Sequence, residues 1–229
     1  RMTLDSPVLT VPGVGPAIAK SLKLHGILTV GDILRATPLR WIDYSHATPI
    51  RKASIGTTVV ICATIDKVAN ERTARKYMAI VRATLSDTTG SMDAVWFNQP
   101  YLSQTLRVGT ILRLRGVVGY NRASGKILQN PTICKDTNKM IVPVYSERTG
   151  ITSGRFSQLV SRVSYLVNDM SDPLSREILK QFSIMSLGDA LKVLHYPPTL
   201  GMVTAGLKRL AVDELWSIMV LSRLSKLKL

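Results

Sequence analysis

The hydrophobic pattern of the chain changes twice, and each change marks a predicted boundary. In residues 7–46, apolar positions recur at the spacing of a helix. A Pro-Gly-Val-Gly-Pro turn leads into the first predicted helix, which begins at Pro16 and ends at Gly26, and a second helix is predicted over residues 30–36. Residues 1–50 are therefore predicted to be a helical region with a helix-hairpin-helix-like turn.

The middle region, residues 51–135, has the alternation of β-strands, with β-branched residues next to polar ones and Gly at intervals. A short helix is predicted over residues 100–106, between the third and fourth strands. The five predicted strands are 57–69, 76–86, 91–97, 110–121 and 126–134. This order predicts a five-stranded Greek-key barrel of the OB type, although an SH3-like barrel would give a similar pattern.

The last region, residues 136–229, returns to helical spacing. Its predicted elements are an extended piece at 141–145 and helices at 153–168, 174–182, 187–194 and 202–229. The final helix has no Gly or Pro to end it, so we expect more protein to follow in the full-length chain. The predicted fold class is α+β, with helical regions on both sides of the barrel.

The charge of the chain points to a polyanionic partner. Thirty Lys and Arg stand against 15 Asp and Glu, which gives a formal charge of +15. Residues 51–135 hold 13 basic and 4 acidic residues, a net charge of +9. Lys and Arg that neutralise phosphates release condensed counterions, so nucleic acid is the leading partner. An anionic membrane surface and simple solubility are the alternatives.

Several function classes find no support in the sequence. There is no Gly-x-x-x-x-Gly-Lys-Ser/Thr loop for ATP, and neither the three histidines nor Cys62 and Cys134 have metal-ligand spacing. No apolar run approaches the ~20 residues of a membrane span. We therefore predict a cytoplasmic binding module with no catalytic residues, metal or cofactor of its own. Because active-site residues can be remote in sequence, a catalytic fragment stays an alternative.

The first candidate site is the turn formed by Gly13, Val14 and Gly15. In helix-hairpin-helix elements such glycines expose backbone N–H groups that donate to a phosphate, and the dipole of the following helix adds to the attraction. A contact of this kind carries no sequence information, as suits a protein that processes DNA. The alternative is a tight turn that only packs against its neighbours.

The second candidate site is aromatic and lies where the third strand ends. Alternation places Trp96 and Phe97 on opposite faces of that strand, and Phe97 is the one expected to face outwards. Pro100 then begins the short helix that carries Tyr101. Exposed rings beside basic residues are stacking platforms for unpaired bases. The alternative is that Phe97 and Tyr101 pack the short helix onto the barrel.

The third candidate site is a set of basic residues predicted to contact the DNA backbone. Some lie in the two hairpin turns that frame the nucleic-acid groove of OB folds, and two lie on the polar side of the fourth strand. They are Arg72, Arg75, Lys76, Arg113, Arg115, Arg122 and Lys126. The alternative is an ordinary solvated surface.

Strings along nearly the whole chain resemble the bacterial RecG helicase family. They are, in order, Val-Pro-Gly-Val-Gly-Pro from Val11, Leu-His-Gly-Ile from Leu24, Thr-Val-Gly-Asp-Ile-Leu from Thr29, Leu-Ser-Asp-Thr-Thr-Gly from Leu85, Phe-Asn-Gln-Pro-Tyr-Leu from Phe97, Pro-Val-Tyr from Pro143, His-Tyr-Pro-Pro from His195 and Arg-Leu-Ala-Val-Asp-Glu-Leu from Arg209. Thr88 stands where the family usually has Gly, which puts the geometry of that turn in doubt. Trp41 replaces a common Tyr, and a longer N-terminal helical region of some members is missing.

The resemblance implies a wedge domain that splits branched DNA, such as replication forks and Holliday junctions. Phe97 and Tyr101 would each stack on a base at the branch point, where the strands are single. The wedge would serve an ATP- and Mg-dependent motor in fork regression, DNA repair and recombination, with the motor outside this chain. A monomer is expected. The alternative function is a sequence-neutral single-stranded nucleic-acid-binding OB module.

Overall fold

The computed structural model describes residues 1–72, 78–134, 140–148 and 150–227. These residues form two compact units. The barrel unit is Asp43–Met140, and the helical unit joins Arg1–Ile42 to Ile141–Leu229. The α+β fold class predicted from the sequence is confirmed.

The described helices and strands follow the predicted order, with one additional strand (Arg40–Asp43) in the region predicted to be helical. The helices are α1 (Pro16–Leu24), α2 (Val30–Arg35), α3 (Leu102–Thr105), α4 (Ser153–Val163), α5 (Arg176–Gln181), α6 (Leu187–His195) and α7 (Leu200–Leu227). The strands are β1 (Arg40–Asp43), β2 (Thr58–Arg72), β3 (Ala79–Asp87), β4 (Gly90–Phe97), β5 (Ile111–Asn121), β6 (Gly125–Cys134) and β7 (Ile141–Val144). Within the described ranges, no helix combines the length and the apolar composition needed to cross a bilayer.

Strands β2 to β6 close into a barrel in the order β2-β3-β4-β6-β5. All neighbouring pairs are antiparallel except β4 and β6, which run parallel. The side chains of Val81, Ala83 and Leu85 alternate into the interior and are buried there, with Ala94 and Trp96 of β4 in the same core. The five-stranded OB-type barrel with a short helix after its third strand is therefore confirmed.

The β3–β4 turn forms without the glycine that the family usually has at position 88. The Asp87 Oδ1 atom accepts hydrogen bonds from the backbone N–H groups of Thr89 (2.7 Å) and Gly90 (3.0 Å). Thr88 does not have a positive φ. An aspartate that bonds its own following backbone holds the turn instead.

The two helical regions form one core, although the prediction divided them into separate regions, 1–50 and 136–229. Ile33 and Leu34 of α2 belong to the same buried cluster as Phe156 and Leu159 of α4. Helical spacing identifies which face of each helix is apolar. It does not identify the helix that covers that face.

Two local differences from the prediction have the same cause. Strand β1 lies in a stretch predicted to be helical, and it pairs with β7 about 100 residues later, with the Leu39 N–H bonded to the Val144 carbonyl (2.8 Å). The helix predicted over 153–168 ends at Val163 and continues as a 3₁₀ segment, Ser164–Asp169. Four-residue strands and single turns are too short to show a clear period, so only their partners identify them.

A buried histidine joins α6 to α2 and gives the helical unit a pH-dependent stability. The His195 side chain is 3% exposed. Its Nε2 lies 2.7 Å from the carbonyl oxygen of Leu34, which can only accept, so Nε2 carries the proton. Its Nδ1 then accepts from the Tyr145 hydroxyl at 2.7 Å. Both ring nitrogens are satisfied when the imidazole is neutral, and burial lowers the pKa of His195.

We expect the free energy of unfolding to fall as the pH is lowered through about 6.5. The unfolded His195 has a pKa near 6.5 and the folded one has a lower pKa, so in that window the unfolded chain binds one more proton. One proton corresponds to a slope of at most ~1.4 kcal/mol per pH unit. Urea unfolding from pH 5 to pH 8 measures the slope, and His195→Gln should flatten it. A slope that His195→Gln leaves unchanged would assign the effect to other groups.

Candidate nucleic-acid interface

Strand β4 ends in two aromatic residues on opposite faces. Trp96 faces the barrel interior with 1% of its surface exposed, and its Nε1 donates to the carbonyl of Pro131 at 2.7 Å. Phe97 lies on the outer face and is half-buried. Alternation along the strand predicts this arrangement, because neighbouring side chains of a strand point to opposite faces.

Two asparagines hold the backbone where β4 ends. The Phe97 N–H donates to Asn130 Oδ1 on β6 at 2.9 Å, and the Asn98 N–H donates to the Ala79 carbonyl on β3 at 2.8 Å. Asn98 and Asn130 have φ values of 56° and 39°, in the left-handed region that costs most residues energy but that asparagine tolerates. The position of Phe97 is thus set by bonds from both neighbouring strands.

Tyr101 lies just before α3 and projects from the barrel. Its side chain is 60% exposed, and its hydroxyl donates to Gln99 Oε1 at 3.0 Å. Leu102 and Leu106, on either side of the exposed positions of α3, are buried and attach the helix to the barrel. The helix is thus anchored by its leucines, and the tyrosine ring remains available to a partner.

A groove of about 830 Å³ opens beside Tyr101 in the barrel unit. One wall is α3 with the residues that follow it, and the other is made by the start of β5 and the end of β6. Trp96 and Ile65 contribute its buried floor. Described residues that line it and reach solvent include Gln99, Tyr101, Thr105, Arg107, Asn130 and Thr132.

The described residues beside the two predicted basic turns lie near strands β3 and β4. Arg72, the last residue of β2, pairs through its backbone with Ala79, whose carbonyl also accepts the Asn98 N–H, so the ends of β2 and β4 lie on either side of the start of β3. The side chain of Arg72 and all of Arg75 and Lys76 lie outside the described residues. The β5–β6 turn also reaches β3, since the Ser124 hydroxyl accepts from Arg82 Nη1 on β3 at 3.0 Å.

The other predicted basic residues divide into two groups. Arg113 Nη1 donates to the Tyr44 carbonyl (2.8 Å) and Lys126 Nζ to the Ala53 carbonyl (2.7 Å), so both side chains contribute to the structure of the barrel. Arg115 and Arg122 are exposed. Arg122 follows β5 in the β5–β6 turn, whereas Arg113 and Arg115 lie on β5 itself, which neighbours neither β3 nor β4.

The Gly13-Val14-Gly15 turn lies in the helical unit, and the guanidinium of Arg162 packs against it. Gly13 has a φ of +83°, which requires glycine, and Gly15 caps the N-terminus of α1. The Val14 N–H donates to the Val11 carbonyl at 3.0 Å and is therefore not free for a phosphate. The Arg162 guanidinium donates to the Pro12 carbonyl and lies so close to Gly13 that a Cβ there would collide with Nη1.

Sequence reasoning did not identify Asn130 or Arg107. Asn130 precedes Pro131 inside a predicted strand, and an Asn-Pro pair is a recognised sign of a local break, so a signal was available. Arg107 follows a four-residue helix, and no local pattern marks it. Among the described residues, no group of three His, Cys, Asp or Glu side chains is arranged to hold a metal ion.

Comparisons with known proteins agree on one family. The family model for the RecG wedge domain matches residues 7–167. The chain is 22% identical over 216 residues to the ATP-dependent DNA helicase RecG of Bacillus subtilis, covering 92% of this chain and 31% of that protein. It is 26% identical over 223 residues to the RecG of Thermotoga maritima, covering 94% and 28%.

A solved structure is similar over nearly the whole chain. It is the structure of RecG bound to a three-way DNA junction, with a TM-score of 0.81, 25% identity and coverage of 95% of this chain and 30% of that one. This chain thus spans about 30% of the length of the relatives it matches.

Proposed function

Since the chain belongs to the RecG wedge domain family, we propose that it binds branched DNA and separates the strands at the branch point. The observation that carries the proposal is the aromatic pair at the end of β4, where Phe97 is half-buried and Tyr101 is 60% exposed on a barrel with a surplus of basic residues. Rings in this setting stack on unpaired bases in a sequence-independent way. The similar solved structure, in which RecG is bound to a three-way DNA junction, supports the same kind of partner.

The rigid attachment of the two aromatics supports a wedge. Phe97 is held through its backbone by Asn130, and α3 is anchored by the buried Leu102 and Leu106. A group that keeps two strands apart must not yield when duplex is pulled against it. Anchored rings meet that requirement better than rings on a long loop do.

The activity of the whole protein is a wider part of the proposal. The matched relatives are ATP-dependent DNA helicases about three times as long as this chain. We propose that ATP and Mg²⁺ bind to a motor that lies outside residues 1–229. We also propose that the wedge belongs to a monomeric cytoplasmic protein that acts in fork regression, DNA repair and recombination. Of the basic residues predicted to contact the DNA backbone, Arg115 and Arg122 are exposed, and we assign phosphate contacts to them.

We expect the chain to bind a three-way fork more tightly than a duplex of equal length, and Phe97→Ala to weaken fork binding about fivefold or more. Stacking of one unpaired base on an aromatic ring contributes ~1–3 kcal/mol to the binding free energy of the fork. A duplex has no unpaired base that could stack in this way. Tyr101→Ala should act in the same direction. Fluorescence anisotropy with labelled fork and duplex at one salt concentration measures both effects.

Matched controls come from the helical unit. Phe182 and Tyr165 are exposed aromatics far along the chain from the barrel, at 63% and 58% exposure. Phe182→Ala and Tyr165→Ala should leave fork binding unchanged. Equal affinity for fork and duplex, unaffected by Phe97→Ala, would contradict the proposal. Tighter binding to an unstructured oligonucleotide than to the fork would favour a sequence-neutral single-strand-binding module instead.

A further inference from the structure

We propose that the groove beside Tyr101 receives one unpaired nucleobase, in a pocket that Tyr101 borders and that is distinct from the stacking surface of Phe97. This inference rests on the proposed function and extends it, because it predicts a second place where the branch-point strand is held. Small-molecule and cofactor sites in proteins are concave, mostly apolar and about 300 to 1,000 Å³ in volume. At about 830 Å³ the groove falls within that range.

The floor and lower walls of the groove are suited to a flat aromatic ring. Trp96, Leu102 and Leu106 are buried residues that line it. Ile111 lines the opposite wall and is 62% exposed. An exposed isoleucine beside a buried apolar floor leaves apolar surface in water, and a base that covers this surface removes it from water.

The rim of the groove offers hydrogen-bond donors. Asn130 lines it, and its Oδ1 accepts the Phe97 N–H. Because a backbone N–H can only donate, this bond sets the orientation of the Asn130 amide and identifies Nδ2 as its second polar atom. Within the described part of the chain, Nδ2 has no hydrogen bond. Carbonyl oxygens and ring nitrogens on the edges of bases are acceptors for such a group.

The charge around the groove favours a nucleotide over a protein segment. Arg107 lines the groove and is exposed, and no ion pair involves it in the described ranges. The lining residues that the structure describes include no Asp or Glu. A guanidinium at the rim can contact the phosphate that follows an inserted base, and none of the described lining residues brings a carboxylate to repel that phosphate. An apolar peptide has no anionic group for Arg107 to neutralise.

The test compares two forks that differ only in their bases. One fork has two unpaired thymidines at the branch point, and the other has abasic sites at the same two positions. The wild-type chain should bind the thymidine fork about fiftyfold more tightly, because the abasic fork loses stacking on Phe97 (about fivefold) as well as the base held in the groove (about tenfold). Fluorescence anisotropy on the full chain gives both dissociation constants.

Filling the groove separates the pocket from the stacking surface. Thr105→Trp places an indole on the exposed, groove-lining side of α3, and the preference for thymidine over abasic sites should fall to about fivefold, the part that stacking on Phe97 supplies. Its matched control is Gln104→Trp, at the neighbouring exposed position of α3 that does not line the groove. Ile111→Trp fills the groove from the opposite wall, so a loss of preference in both variants cannot come from a change in α3 alone. Thermal melting verifies that each variant folds.

Each of the other possible results would show that the groove does not hold a base. If Thr105→Trp and Ile111→Trp keep the full wild-type preference, the bases are held by Phe97 and Tyr101 alone. If the wild type prefers the thymidine fork by only about fivefold, as stacking alone predicts, and still prefers forks to duplex, the pocket is excluded and the proposed function stands. If forks and duplex bind equally, the proposed function and the pocket fail together.

Discussion

Replacing Arg209 by alanine is expected to lower the free energy of unfolding of the helical unit by about 3–5 kcal/mol. The Arg209 side chain is 0% exposed, and its Nη2 donates to Asp172 Oδ1 at 2.6 Å while Nη1 donates to Asp213. Asp172 also accepts the backbone N–H groups of Leu174 (2.9 Å) and Leu187 (2.6 Å). Arg209 therefore ties α7 to the start of α6 and to the loop before α5.

The cost arises from the partners that the substitution leaves behind. Burial raises the pKa of the Asp172 carboxyl, but the two backbone donors and the Arg209 guanidinium lower it further, so its pKa lies below the ordinary value and it is ionised at neutral pH. Without Arg209 this carboxylate stays in a partly buried place with no counter-charge. Urea unfolding followed by circular dichroism measures the change.

Lys208→Ala provides the matched control, since Lys208 is the exposed neighbour on the same helix. Surface substitutions of this kind change stability by about 0.5 kcal/mol or less. A loss for Arg209→Ala as small as the loss for Lys208→Ala would mean that the three charged side chains do not interact in solution.

The second large effect is expected from Trp96→Ala, which should destabilise the barrel unit by about 3–5 kcal/mol. Trp96 is 1% exposed and packs in the barrel core, and its Nε1 bond to Pro131 connects β4 to β6, the one parallel pair of the barrel. Removing the indole leaves a cavity under the groove and an unsatisfied carbonyl. Thermal and urea unfolding measure the loss.

Two further variants separate what the volume of the indole, its hydrogen bond and its inward position contribute to stability. Trp96→Phe keeps most of the volume and loses the hydrogen bond, so it should cost about 1–3 kcal/mol, less than Trp96→Ala. Phe97→Ala, one residue further and half-buried on the outer face, should cost less than Trp96→Ala as well. Should Phe97→Ala prove as destabilising as Trp96→Ala, the assignment of the two faces would be wrong.

Much of the barrel followed from local pattern, because strand alternation is a property of neighbouring residues. The inward position of Trp96 and the outward position of Phe97 both follow from a period of two. The five strands, the short helix after the third and the turn at Gly13 follow from spacing and from glycines at positions of positive φ. The basic surplus is a matter of composition, and it indicates nucleic acid whatever the fold.

The remaining features depend on residues that meet only when the chain folds. The amide of Asn130 reaches Phe97 across 33 positions, Arg162 reaches the turn at Gly13 across about 150, and Arg209 meets Asp172 across 37. The pairing of β1 with β7 and the groove beside Tyr101 are of the same kind. Local pattern determines which face of an element is apolar or charged. Which faces meet depends on shape and packing between distant segments, and no short stretch of sequence contains that information.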